Sequence, residues 1–257
     1  VKCLHDSIIS YPPSASKKIT RMLDTLNKQL TQSGKEVFIY ELLQNANDYP
    51  KKEKGKTIIP VDVEFYITDK YLIFKHSGEY FNPKNIAAIC DINDGEKSDN
   101  IEAIGYKGIG FKTVFLDNDY VYLRTGNYSF RFENDPQYPI YTPWQILPVW
   151  TERNELDSDI PQIFNRTEYN EFRVKFALRP RDSKILTDLS RSDNYVNLFN
   201  KVFANERVIL FIPNIQFFIM VKSYCNFYCG LWNHNYQLKK EKENCYEIHL
   251  RCLRLGI

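Results

Sequence analysis

The sequence predicts an α+β fold in which a mostly antiparallel sheet carries helices on one face and continues into a β-rich C-terminal extension. Three observations lead there. Two N-terminal segments repeat apolar residues at helical spacing, and several later segments alternate apolar and polar residues as strands do. Aromatic residues reach 15%, with 18 Tyr and 17 Phe, a content that suits β-rich packing better than a helical bundle.

The elements follow in chain order. Residues 14–31 place Ile19, Met22, Leu23, Leu26 and Leu30 on one helical face, with Ser14 or Ser16 as N-cap and Gly34 as terminator. A second helix runs from about Lys35 to Asp48 and stops before Pro50. Residues 51–56 form a basic connector, and strands follow at 58–67 and 70–76 around a turn at Thr68, Asp69 and Lys70. Asn82-Pro83 starts a helix through Ile86 to Cys90, because proline suits the first helical position. Residues 91–104 are polar and poorly periodic and read as a loop; a helix then runs from Gly108 or Gly110 to about Phe115. Residues 119–133 alternate as a hairpin turning at 125–127. Between Asp135 and Pro161 lie five of the twelve prolines, so an irregular excursion is expected there. Residues 172–178 form a strand, 194–212 contain a helix, and 215–222, 226–236 and 244–253 are strands.

Bulk properties exclude several classes. A chain of 257 residues can bury a core as one large domain or two small ones, and its 26% charged residues are ordinary for a globular protein. The net charge of +2 gives no electrostatic footprint for nucleic acid. No apolar run approaches the roughly 20 residues a membrane helix needs, and the N-terminus lacks a signal-peptide pattern. Six dispersed cysteines point to a reducing cytosolic setting, with the nucleus as the alternative. There the triplets Asn127-Tyr128-Ser129 and Asn165-Arg166-Thr167 carry no glycan. Beginning at Val1, the chain reads as a piece of a longer protein.

Three stretches carry chemistry. In Glu41-Leu42-Leu43-Gln44-Asn45-Ala46-Asn47-Asp48, the apolar stripe is Ile39, Leu42, Leu43 and Ala46. Glu41, Asn45 and Asp48 then share an adjoining face at i, i+4 and i+7. That face reads either as the wet side of an amphipathic helix or as an oxygen-donor set for hydrated Mg²⁺, with Glu41 able to deprotonate a water. In Gly105-Tyr106-Lys107-Gly108-Ile109-Gly110-Phe111-Lys112, the glycines either permit close packing or let backbone N–H groups approach phosphates, with Lys107 and Lys112 adding charge. This is neither a Walker A loop, since the Gly-Lys-Ser/Thr ending is missing, nor a dinucleotide fingerprint, since no βαβ unit follows. The middle stretch is Lys75-His76-Ser77-Gly78-Glu79-Tyr80-Phe81.

In this order the three stretches resemble the GHKL ATPases, most closely the sacsin-like and heat-shock-chaperone-like branch, over about residues 36–116. The resemblance implies the Bergerat fold, a two-layer α/β sandwich that holds ATP between its helical layer and a lid, here about residues 91–104. It implies Glu41 as general base, Asn45 as the Mg²⁺ ligand and Asp48 beside the nucleotide. Gly78 would lie under the adenine with Phe81 nearby. Gly105, Lys107, Gly108, Ile109, Gly110, Phe111 and Lys112 would flank the phosphates. Two positions depart from the pattern. His76 stands where the family has an Asp that accepts from the adenine amino group; a neutral imidazole can still accept there, directly or through water, and reads otherwise as a strand-end histidine with no ligand role. Asn170 falls nearest the family's late phosphate-contacting threonine.

The expected organisation is an ATP-binding domain at 1–214 and a β-rich extension at 215–257. The expected activity is Mg²⁺-dependent hydrolysis of ATP to ADP and phosphate, with homodimerisation through lid closure and further domains on the same longer chain as partners. A non-hydrolysing nucleotide-sensing or interaction module is the alternative. A histidine kinase is disfavoured, since His5 lies in no dimerisation helix. In the tail, Cys225, Cys229, His234, Cys245, His249 and Cys252 have residue types suited to zinc at irregular spacings, and read otherwise as free thiols and strand residues.

Overall fold

A computed structural model of the chain describes residues 1–32, 34–52, 58–91, 110–165, 171–203, 214–223, 240–241 and 245–251. Its helices are α1 (Lys2–Ile9), α2 (Pro13–Thr31), α3 (Val37–Asp48), α4 (Pro83–Ile89), α5 (Asp159–Phe164), α6 (Lys184–Thr187) and α7 (Tyr195–Phe203). Its strands are β1 (Lys51–Lys52), β2 (Ile58–Ile59), β3 (Val61–Ile67), β4 (Leu72–His76), β5 (Asn118–Thr125), β6 (Tyr128–Glu133), β7 (Val149–Trp150), β8 (Val174–Pro180), β9 (Ile215–Ser223), β10 (Lys240–Glu241) and β11 (Cys245–Arg251). The expected α+β class holds.

β1 and β2 form a small hairpin, and the other strands make one sheet in the order β10-β11-β9-β3-β4-β8-β5-β6-β7. The six strands from β3 to β7 pair antiparallel throughout, whereas β9 lies parallel to β3. The strands beginning at residue 215 therefore extend the same sheet.

Alternation along the strands separates two faces. Val63, Phe65, Phe74, Leu123, Phe132, Val174 and Phe176 meet Phe38, Leu42, Leu43, Ile86, Phe115, Tyr195 and Phe199 in the main core, so α3, α4, α6 and α7 line one side. On the opposite face Tyr66, Ile73, Tyr120, Tyr122 and Ala177 are covered by Ile160 and Phe164 of α5. The expectation of helices on one face alone is corrected here. A two-sided sheet rich in buried tyrosine needs a cover, and the proline-rich excursion supplies one in a single short helix.

That cover is also held by charge. Lys75 and Lys175 stand opposite one another in register, an unfavourable pairing by itself. Both ammonium groups donate to the C-terminal carbonyls of α5, Lys75 to Ile163 at 3.3 Å and Lys175 to Phe164 at 2.6 Å, while Glu64 pairs with Lys75. Cations at a helix C-terminus meet its exposed carbonyls, which offsets the repulsion.

α4 forms as its sequence dictates. Asn82 accepts from the backbone N–H groups of Lys84 and Asn85, Asn85 returns the bond to the N-cap, and Pro83 begins the helix. Gly34, with φ of +100°, follows the end of α2. Among the described residues no helix is long and apolar enough to cross a membrane.

Candidate functional site

α3 is the spine of the site. Ile39, Leu42, Leu43 and Ala46 are buried against the sheet, which turns Glu41 and Asn45 to a half-buried position and leaves Asp48 exposed. From Glu41 to Asp48 the helix advances about 10 Å. Each end of that span meets a glycine.

At the first end, Glu41 lies against Gly110, which opens a 3-10 helix at Gly110–Phe115. A Cβ on Gly110 would fall inside 3.0 Å of the Glu41 carboxylate, closer than real Cβ atoms come. The absent side chain is what lets the carboxylate sit over the backbone there. Burial, and then the charge of Asp48, hold the Glu41 carboxyl above its ordinary range.

At the second end, Gly78 fits beneath Tyr49, the residue that ends α3. A Cβ on Gly78 would fall inside 3.0 Å of both the Tyr49 carbonyl oxygen and His76 Nδ1. The Tyr49 carbonyl also accepts from Glu79 N–H at 2.8 Å, and its hydroxyl accepts from Asn85 at 3.0 Å. Gly78 N–H donates to His76 Nδ1 at 3.2 Å. That bond requires a lone pair on Nδ1, so in the neutral ring Nε2 carries the proton. Burial keeps the ring neutral, pushing its pKa down to about 3. His76 Nε2 is itself buried and, among the described residues, has no hydrogen-bond partner. A buried donor left unpaired costs about 1–3 kcal/mol.

Phe81 continues this end. Its ring lies 6.3 Å from His76 and 6.2 Å from Tyr49, and its N–H donates to Thr125 at 3.1 Å. Phe111, beside Gly110, meets Phe176 at 5.7 Å, and Phe176 meets Phe81 at 6.3 Å. A buried aromatic row therefore joins the two ends beneath α3.

Lys112 faces inward rather than toward open space. Its ammonium donates to the carbonyls of Ile89, the last residue of α4, and of Gln145 at 3.3 Å, and it lies 5.7 Å from the Phe115 ring. Burial pulls its pKa down to about 8. In this arrangement its charge caps α4.

Asn47 is a positioning residue that periodicity alone does not single out. Its Oδ1 accepts from Asn214 N–H at 2.8 Å and its carbonyl from Asn214 Nδ2 at 2.9 Å, while the Asn214 carbonyl accepts from Val61 N–H at 2.7 Å. The end of α3 is thus tied to the residue that leads into β9. The readable signal was a second carboxamide two residues after Asn45.

Gly105, Lys107, Gly108, Ile109 and Asn170 lie outside the described residues, as do the lid expected at 91–104, apart from Asp91, and the Cys225, Cys229, His234 and Cys252 positions. Cys245 and His249 fall on β11 in register with Ser223 and Ile219 of β9. Among the described residues no group of three His, Cys, Asp or Glu side chains is placed to hold a metal.

No family model matches the chain. Protein NO VEIN from Arabidopsis thaliana is 30% identical over 118 residues, 45% of this chain and 4% of that protein's length. The chain thus spans a small fraction of the curated relative it matches.

Proposed function

We propose that this chain is a GHKL-class nucleotide-binding domain of Bergerat architecture that binds ATP with Mg²⁺ and hydrolyses it to ADP and phosphate. The observation that carries the reading is the placement of the Glu41 carboxylate over Gly110, with Asn45 one helical turn further along the same face. The antiparallel α+β fold is compatible with it.

In this reading Glu41, as the carboxylate, takes a proton from water as the water oxygen attacks the γ-phosphorus. The bond to the β–γ bridging oxygen breaks, and ADP leaves with that electron pair. The oxygen donors of this face fit Mg²⁺, which keeps several waters and takes few protein ligands besides substrate phosphates. Asn45 would hold it, and the ion would neutralise phosphate charge. Donors at the start of the 110–115 helix would serve the developing negative charge. Dimerisation and further domains of a longer chain belong to the same proposal.

Calorimetric titration of ATP with and without Mg²⁺, beside a phosphate-release assay, tests the proposal. Mg²⁺-dependent binding with slow release supports it, and a chain that binds no nucleoside triphosphate overturns it. Binding without release would favour the nucleotide-sensing alternative.

Two further outcomes follow from the Glu41 end. A base acts only when deprotonated, so turnover falls as pH drops through its pKa, here above the usual Glu value of about 4.3. Asp48→Asn removes the second cause of that elevation, so at saturating nucleotide the acid limb of the rate profile moves to lower pH. An unmoved limb would separate Asp48 from the base. Gly110→Ala meets the far end of a flexible side chain, so the fold persists while the carboxylate shifts. Misplacement of that kind lowers turnover by about 10²-fold, with Tm nearly unchanged by calorimetric scanning.

A further inference from the structure

We propose that His76 makes the base end of this site a hydrogen-bond donor, so that the preferred ligand is a 6-oxopurine nucleoside triphosphate, such as an inosine or guanosine nucleotide, rather than ATP. The inference rests on the nucleotide-binding reading above and concerns the choice of base within it.

Donors and acceptors at His76 decide which base is preferred. His76 is wholly buried on the helix-facing side of β4, between Phe74 at 5.7 Å and Phe81 at 6.3 Å. One ring nitrogen is committed, because Nδ1 accepts from Gly78 N–H at 3.2 Å. The other, Nε2, must therefore bear the hydrogen, and among the described residues it has no partner. The ring cannot exchange the two roles without breaking the Gly78 bond. Protonation offers no escape either, since it would add a second donor and burial opposes it.

The place of this donor matters. It sits at the Tyr49 end of α3, about 10 Å along the helix from the Glu41 end, in keeping with a nucleotide laid along α3 with phosphates at one end and base at the other. Adenine's position 6 is an amino group, a donor that would face the N–H of His76. Hypoxanthine and guanine carry an oxygen there, an acceptor that completes the pair. A site built to hydrogen-bond one such group rejects the ligand that leaves it unpaired.

The test is calorimetric titration of the protein with ATP and with ITP, which differ only at position 6 and in the proton on N1, with GTP as a further arm and Mg²⁺ present throughout. The expected result is that ITP binds at least ~tenfold more tightly than ATP. His76→Asp, which replaces the donor with an acceptor, is expected to reverse the order. Should that variant fail to fold, His76→Asn, carrying both kinds of group, is expected to bring the two affinities together. ATP binding as tightly as ITP or tighter overturns this inference and leaves the nucleotide reading standing. Binding of neither overturns both.

Discussion

Glu41→Gln is expected to lower phosphate release by roughly 10²- to 10⁴-fold, the usual contribution of a positioned general base. The amide preserves the shape that fits over Gly110 but cannot take a proton from water. Nucleotide affinity should be kept or improved, because a neutral group no longer repels the triphosphate. Rapid-mix phosphate assays beside calorimetry separate the two effects. Undiminished turnover would remove Glu41 from the mechanism. An equal loss of binding would make it a ligand contact or a structural residue instead.

The second large effect is expected at the other end of α3. Gly78→Ala places a Cβ against the backbone carbonyl of Tyr49, which cannot swing away as a side chain can. Gly78 is not among the positive-φ glycines, so the constraint is space rather than backbone angle. Relief would require β4 and the end of α3 to part, breaking the bonds from Gly78 to His76 and from Glu79 to Tyr49. Overpacking of this kind costs roughly 1–3 kcal/mol, and Tm should fall by roughly 2–12 °C. Thermal unfolding of the two alanine variants makes the contrast direct: Gly110→Ala keeps its Tm and loses turnover, whereas Gly78→Ala loses Tm. Equal melting temperatures would contradict the packing described at Gly78.

Local rules made much of this legible. The stripe of Ile39, Leu42, Leu43 and Ala46 dictates which face of α3 is buried, and so where Glu41 and Asn45 point. Asn82, Pro83 and Asn85 spell out the start of α4. Strand alternation placed β3, β4, β5, β6 and β8 within a few residues of their observed bounds. What escaped depends on partners distant in the chain. The parallel pairing of β9 with β3 is set by neither segment alone. α5 carries a proline and spans only six residues, too short for periodicity to declare itself. α1 has no side-chain cap to announce it. Lys112 belongs to a residue type usually exposed, and its burial follows from two carbonyls, at Ile89 and Gln145, that only the folded chain brings together. At the site, the glycines and carboxylate were visible as residue types, but the polarity of His76 was not. Whether an imidazole donates or accepts is decided by its neighbour, here the Gly78 N–H.

The most direct test of the whole account is a crystal structure of the protein with Mg²⁺ and a non-hydrolysable nucleoside triphosphate. The nucleotide is expected to lie along α3, its terminal phosphate beside Glu41 and Gly110 with Asn45 on the ion, and its base at Gly78 and His76. A nucleotide bound elsewhere, or reversed so that its phosphates meet His76, would contradict it.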